Sequence, residues 1–96
     1  MPSPRLSEEE IISEQRTLDT WKVEGSELVR TFTFPDFRAS LAFVNQVGEL
    51  AEAAGHHPDI DIRYNRVRLA LVTHDSGGLT AKDFGLARKI NGLPAS

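Results

Sequence analysis

The stretch from Pro35 to Gly55 limits what this chain can fold into more than any other. Asp36 is a helix N-cap, a side chain that accepts from the free N–H groups opening a helix. The run after Phe37 holds no proline and continues to about Ala54. Gly55 then supplies a residue suited to the left-handed conformation with which many helices close. Eighteen or so residues make a helix of roughly 27 Å. Phe37, Leu41, Val44, Gly48 and Ala51 form one stripe on it, and Phe43, Val47, Leu50 and Ala54 form a second beside it. Together they span about half the circumference, wider than the ~100° that packing on a sheet requires. One stripe can cover a sheet. The other needs the remaining helices or another subunit.

The flanks supply the sheet. Residues 21–23 read as a short strand, Glu24 to Glu27 as a turn, and 28–34 as a longer strand. Alternation puts Leu28, Phe32 and Phe34 on one face and Val29, Thr31 and Thr33 on the other. Trp21 reads as a core aromatic. Beyond the long helix, 59–64 and 67–73 read as strands joined by Asn65-Arg66 in a type I′ hairpin, which tolerates Asn at its first position. Ile60, Ile62 and Tyr64 alternate with Asp61 and Arg63. Val67, Leu69 and Leu71 share one face, while Arg68, Ala70, Val72 and His74 share the other. Two further helices carry local start signals. Ser7 with Glu10 makes a capping box with Leu6 and Ile11 at the staple positions, for a helix ending near Arg16. Thr80 with Asp83 repeats the pattern with Leu79 and Phe84, for a helix ending near Asn91-Gly92. Two hairpins cannot bury a sheet face alone. The economical solution is an α+β domain of order α-β-β-α-β-β-α: a four-stranded antiparallel sheet with three helices packed on one face.

The length, 96 residues, makes one domain, 1–96, with 1–6 and 93–96 as loose tails. A chain of this size buries only about 60–65% of its unfolded surface, so self-association would help it. The net charge is −3 and no basic block is present, which disfavours direct nucleic-acid binding. Cysteine is absent, so disulfides, thiol catalysis and cysteine-ligated zinc are excluded. No apolar run reaches the ~20 residues that span a membrane. The opening Met-Pro-Ser-Pro-Arg lacks the apolar core of a secretory signal. The expectation is a soluble, cytoplasmic protein.

The chemistry-bearing residues concentrate between Glu52 and Asp83. All three histidines lie there, His56, His57 and His74. An imidazole, with an ordinary pKa of about 6.5, can both give and take a proton near neutrality. His56 and His57 follow the long helix, and Pro58 holds His57 extended. His74 ends the last strand, and the last hairpin leads from one histidine group to the other. Singly, each histidine reads as a polar loop or strand-end residue. As a group, they converge with Asp83 from separate elements. Glu52, one turn before His56, can orient a histidine or bind a ligand, and Asp83 is accounted for by its capping box alone. Three histidines and Asp83 could also make a zinc or iron centre, but their spacing matches no common metal motif.

Glu52-Ala53-Ala54-Gly55-His56-His57-Pro58-Asp59, Tyr64-Asn65-Arg66-Val67, Thr73-His74 and Gly78-Leu79-Thr80-Ala81-Lys82-Asp83 together resemble the pterin-4a-carbinolamine dehydratase family. The likeness extends upstream to Trp21 and to Phe34-Pro35-Asp36-Phe37, and covers about Trp21 to Ile90. It implies a lyase that converts 4a-hydroxytetrahydropterin into quinonoid dihydropterin and water. Such an enzyme supports pterin recycling beside an aromatic amino acid hydroxylase. The resemblance implies His56, His57 and His74 as catalytic residues; on the chemistry of dehydration, our reading is that His56 and His74 transfer protons and His57 binds the ring. It implies Glu52, Thr73, Asp75 and Asp83 as substrate-binding residues, no metal, no cofactor, and homodimers or homotetramers. In mammals a family member also serves as a dimerisation cofactor for a homeodomain transcription factor, so a non-catalytic interaction module is the alternative. Two positions depart from the family pattern: Gly55 stands where Asp or Asn is common, and Ile60 where an aromatic is common.

Overall fold

A computed structural model describes residues 4–93. The outermost parts of the expected tails, residues 1–3 and 94–96, lie outside the described residues. The element order is α1 (Glu8–Arg16), β1 (Lys22–Glu24), β2 (Glu27–Thr33), α2 (Phe37–Ala54), β3 (Asp59–Arg63), β4 (Arg66–Leu71) and α3 (Ala81–Asn91), with a 3₁₀ turn at His74–Ser76 before α3. The strands form one antiparallel sheet in the order β1-β2-β4-β3. Strands β2 and β3, joined through α2, leave a gap between them that β4 fills, a split βαβ arrangement.

Local chemistry sets each helix. Ser7 Oγ accepts from Glu10 N–H at 3.1 Å while the Glu10 carboxylate accepts from Ser7 N–H at 2.9 Å, completing the box that opens α1. Asp36 accepts from Ala39 N–H at 2.9 Å to open α2. Gly55, at φ 63°, closes α2 in the left-handed region where a side chain is disfavoured. Thr80 and Asp83 form the second capping box at α3.

Register assigns the two faces. Val23, Leu28 and Leu71 lie in one row, Arg30, Leu69 and Ile60 in the next, and Phe32, Val67 and Ile62 in the third. This face carries the core, in which Trp21, Leu28, Val47, Val67, Leu69, Leu71, Phe84 and Ile90 are buried. Each such side chain contributes about 1.5–3 kcal/mol relative to exposure. Thr31, Thr33, Asp61, Arg63, Arg66 and Arg68 occupy the opposite face with Lys22, Val29, Ala70 and Asp59. The buried Trp21 ring directs its Nε1–H to Asn91 Oδ1 at 2.8 Å, joining the start of the sheet to the end of α3.

Several expectations shift in detail. The buried line of α2 is Ser40, Phe43, Val47 and Ala51: Ala51 from one sequence stripe, Phe43 and Val47 from the other, and Ser40 from neither. Phe37 and Leu41 remain exposed. The β3–β4 loop is Tyr64-Asn65, one residue earlier than the sequence pattern suggests, with Arg63 paired to Arg66. Tyr64 takes the left-handed conformation, φ 52°. Asn65 is the reason for the shift: its Nδ2 donates to Phe34 O at 3.0 Å and its carbonyl accepts from Phe34 N–H at 2.8 Å, clamping the loop to the end of β2. Strand β4 ends at Leu71, short of residue 73, because Thr73 turns away to bridge Gly78. Leu6, placed in the loose tail by the sequence, donates its N–H to Leu79 O at 2.8 Å.

Candidate active site

The C-terminus of α2 delivers the histidine pair. Gly55 N–H bonds to Glu52 O at 3.3 Å and His56 N–H to Ala51 O at 3.1 Å. These two bonds are those of a Schellman motif, with Gly55 at the left-handed position. The position after the glycine often packs an apolar residue; here it holds His56, whose direction is therefore fixed by the helix end. His56 Nε2 lies 2.6 Å from Asp83 Oδ1, with the histidine side chain 11% exposed and the aspartate fully buried. His57 Nε2 lies 2.5 Å from Glu52 Oε2, and both of these side chains are exposed. A carboxylate only accepts, so each Nε2 is the donor when the imidazole is neutral, and each Nδ1 keeps a lone pair.

Behind His56 lies a closed polar network. Asp83 Oδ2 accepts from Thr73 O–H at 2.8 Å and from Thr80 N–H at 2.9 Å. The Thr73 and Thr80 hydroxyls are 2.8 Å apart, and Thr80 Oγ1 accepts from Lys82 N–H at 3.2 Å. One proton arrangement serves every group: Lys82 N–H to Thr80, Thr80 O–H to Thr73, Thr73 O–H to Asp83, and His56 Nε2–H to the other Asp83 oxygen. Among the described residues no buried side-chain nitrogen or oxygen lacks a partner. The amide donors at the start of α3 thus reach His56 through a single carboxylate. A half-satisfied network in this position would be costly.

The three histidines border one cavity of roughly 290 Å³. His56, His57 and His74 share its wall with Thr73, Asp75 and Lys82, and Gly55 and Val72 complete it. A bicyclic ring fits such a volume. Glu52 and Asp83 are not on the wall; each stands behind a histidine. His74 opens the 3₁₀ turn, is exposed, and makes no side-chain hydrogen bond among the described residues. Gly77, left-handed at φ 71°, closes that turn. Among the described residues no three histidine, aspartate or glutamate side chains cluster as metal ligands.

The family model for pterin 4 alpha carbinolamine dehydratase matches residues 4–93. The chain belongs to this family. A relative from Chloroflexus aurantiacus that carries pterin-4-alpha-carbinolamine dehydratase in its name is 62% identical over 88 residues, 92% of this chain and 95% of that one. One of the same name from Acidobacterium capsulatum is 58% identical over 91 residues, 95% of each chain. The crystal structure of a transcriptional coactivator/pterin dehydratase from Brucella melitensis superposes with a TM-score of 0.88 at 39% identity, covering 96% of this chain and 99% of that one. A pterin dehydratase-like protein identified as a RuBisCO assembly factor in the alpha-carboxysome matches with a TM-score of 0.63 at 22% identity, over 79% of this chain and 88% of its own, and shares the fold.

Two side chains beside the three histidines, Thr80 and Lys82, were not singled out as site residues by the sequence pattern. Thr80 reads from sequence as a helix cap and in space also holds Thr73. Lys82 supplies the cationic side chain of the cavity wall. The signal for both was the start of α3, where a cap and the residues beside it must lie next to whatever precedes the helix. The Asp83 carboxylate, which the resemblance assigns to substrate binding, faces His56 instead.

Proposed function

We propose that the cavity dehydrates a 4a-hydroxytetrahydropterin to the quinonoid dihydropterin. Family membership supports the substrate class. The observation that carries the reading is the convergence of His56, His57 and His74 on one ring-sized cavity, with His56 backed by a buried carboxylate. The reaction breaks the C4a–O bond and removes the N5 proton, so that the N5 electron pair forms the C4a=N5 double bond. It requires one group to protonate the departing hydroxyl and another to accept from N5–H. His56, with Nε2–H committed to Asp83, offers Nδ1 as the acceptor. His74, which makes no side-chain hydrogen bond among the described residues, protonates the leaving oxygen. His57, steadied by Glu52, binds the ring, with Thr73 and Asp75 at its edge. Each positioned proton transfer typically contributes ~10²–10⁴-fold.

The test is a direct dehydration assay on 4a-hydroxytetrahydropterin. The native chain should accelerate water loss over the spontaneous rate, and His56→Ala and His74→Ala should each fall by about 10²-fold or more. Native protein that leaves the spontaneous rate unchanged sinks the proposal, and the fold would then serve as an interaction module.

A further inference from the structure

The sheet face turned away from the helices carries a separate concavity of roughly 180 Å³. Thr31, Asp61, Arg63, Arg66 and Arg68 line it, and none of them borders the histidine cavity. Register puts them together. Thr31, Arg68 and Asp61 form one row across β2, β4 and β3, and Thr33, Arg66 and Arg63 form the next. Three arginines thus meet on one patch of a chain whose net charge is −3.

Taken alone, the arrangement is unfavourable. Arg63 and Arg66 stand directly opposite each other, and like charges so placed destabilise a strand pair. Two carboxylates answer from the side: Asp61 accepts from Arg63 Nε at 3.2 Å, and Glu24 accepts from Arg68 Nη2 at 3.3 Å. Arg66 makes no side-chain hydrogen bond or ion pair among the described residues. The loop between Arg63 and Arg66 is clamped to Phe34 through Asn65, which holds the two arginines in register. A local arrangement that opposes stability, kept in place by a long-range clamp, is the kind that a binding site retains.

The chemistry of the wall points to the ligand class. A guanidinium presents its donors as a planar fork that matches the oxygens of phosphate. Arg66 has its whole fork uncommitted, Arg63 keeps its two terminal nitrogens, and Thr31 adds a hydroxyl. A phosphate monoester brings three terminal oxygens and close to two negative charges, enough to engage more than one fork. A phosphodiester brings two such oxygens and one charge. The volume is well below the roughly 300–1,000 Å³ of pockets that enclose a whole small molecule, so a phosphate group enters and an ester substituent stays outside.

We propose that this concavity binds a phosphate dianion, free or as the terminal group of a phosphomonoester, with Arg66 as its main ligand and Arg63 and Arg68 beside it. The experiment titrates the native chain with inorganic phosphate, glycerol 3-phosphate and dimethyl phosphate at constant ionic strength, following the backbone amide resonances. The first two should shift the amides of Thr31, Arg63, Arg66 and Arg68 saturably, and about tenfold or more tightly than dimethyl phosphate. Whichever of the two binds tighter identifies the source, the free ion or an ester. Arg66→Gln should weaken both by about tenfold or more. The same substitution should leave the urea midpoint of the ligand-free chain unchanged or raised, because it removes the like-charge pair. Shifts that do not saturate overturn the inference. So do dimethyl phosphate binding as tightly as phosphate, Arg66→Gln binding like the native chain, and a lowered midpoint in Arg66→Gln, which would make Arg66 a structural residue. An oligonucleotide without terminal phosphates that displaces glycerol 3-phosphate assigns the face to nucleic acid and overturns it as well.

Discussion

Asp83→Asn separates two roles that one carboxylate fills. Asp83 receives His56 Nε2–H at 2.6 Å, Thr73 O–H at 2.8 Å and Thr80 N–H at 2.9 Å. Thr73 and Thr80 both end on Oδ2, so an asparagine of the same shape keeps its amide oxygen there. Its amide nitrogen then faces His56, and His56 can retain a hydrogen bond only by accepting at Nε2 and carrying its proton on Nδ1. The helix cap survives, while the lone pair meant for the substrate is lost. Hydrogen bonds to charged groups contribute about 1.5–3 kcal/mol against about 0.5–1.5 for neutral ones, so the three together lose roughly 3 kcal/mol gross. Much of that is offset because a neutral amide is less costly to bury than a carboxylate, leaving a net loss of about 1–2 kcal/mol. Turnover should fall by ~10²–10⁴-fold, the usual worth of a positioned proton transfer. Asp83→Ala instead strands the donors and should cost about 3–5 kcal/mol. Urea unfolding followed by circular dichroism reads the stability, and ultraviolet absorbance reads dehydration. An Asp83→Asn protein with undiminished kcat would show that Asp83 caps α3 and does nothing for His56.

Four further expectations follow from particular side chains. Dehydration should survive exhaustive EDTA; loss on chelation with recovery on adding zinc would point to a metal enzyme. Light scattering at micromolar concentration should give a mass of at least two chains, since Phe37 and Leu41 leave an apolar stripe of α2 uncovered. Leu41→Glu should lower that mass, and a native monomer would refute the idea. The Ser7 backbone and hydroxyl hold the exposed Glu10 carboxyl below its ordinary value. Its contribution to α1 is therefore present above the unfolded carboxyl's pKa and is lost as pH falls through the lower, folded one. The Ser7 amide resonance should report that midpoint, and a midpoint at the ordinary glutamate value would contradict the box. Asn91→Leu removes the acceptor shared by Trp21 Nε1–H and Arg30 and should destabilise the fold by about 1–3 kcal/mol in the same unfolding assay; an unchanged midpoint would show that the acceptor is dispensable.

What could be read in the sequence was local. The caps at Ser7, Asp36 and Thr80 and the left-handed Gly55 depend on residues within one turn of each other, so the chain order alone exposes them. Alternation likewise sorted the two sheet faces. The one-residue shift of the β3–β4 loop was hidden because Asn65 is held by Phe34, 31 positions away. The buried line of α2 was hidden because two apolar stripes compete, and only the finished sheet decides which side chains face it. His56 and His74 could be brought to one place by topology. The partner of His56 could not, since periodicity says nothing about which carboxylate a loop side chain will meet across 27 residues.

The insertion of β4 between β2 and β3 sets an order of events during synthesis. When β3 leaves the ribosome, its neighbour does not yet exist, and β2 has only β1 to pair with. The edge of β2 stays open until β4 arrives, a stage at which an unpaired strand can capture another nascent chain. Asp83 comes later still, on α3. A product truncated before α3 would therefore contain His56, His57 and His74 yet lack the carboxylate that aims His56. Shortening the chain from its C-terminus should not yield a graded series of weaker proteins. It should yield an abrupt boundary, before which the histidines are present as residues but do not form a site.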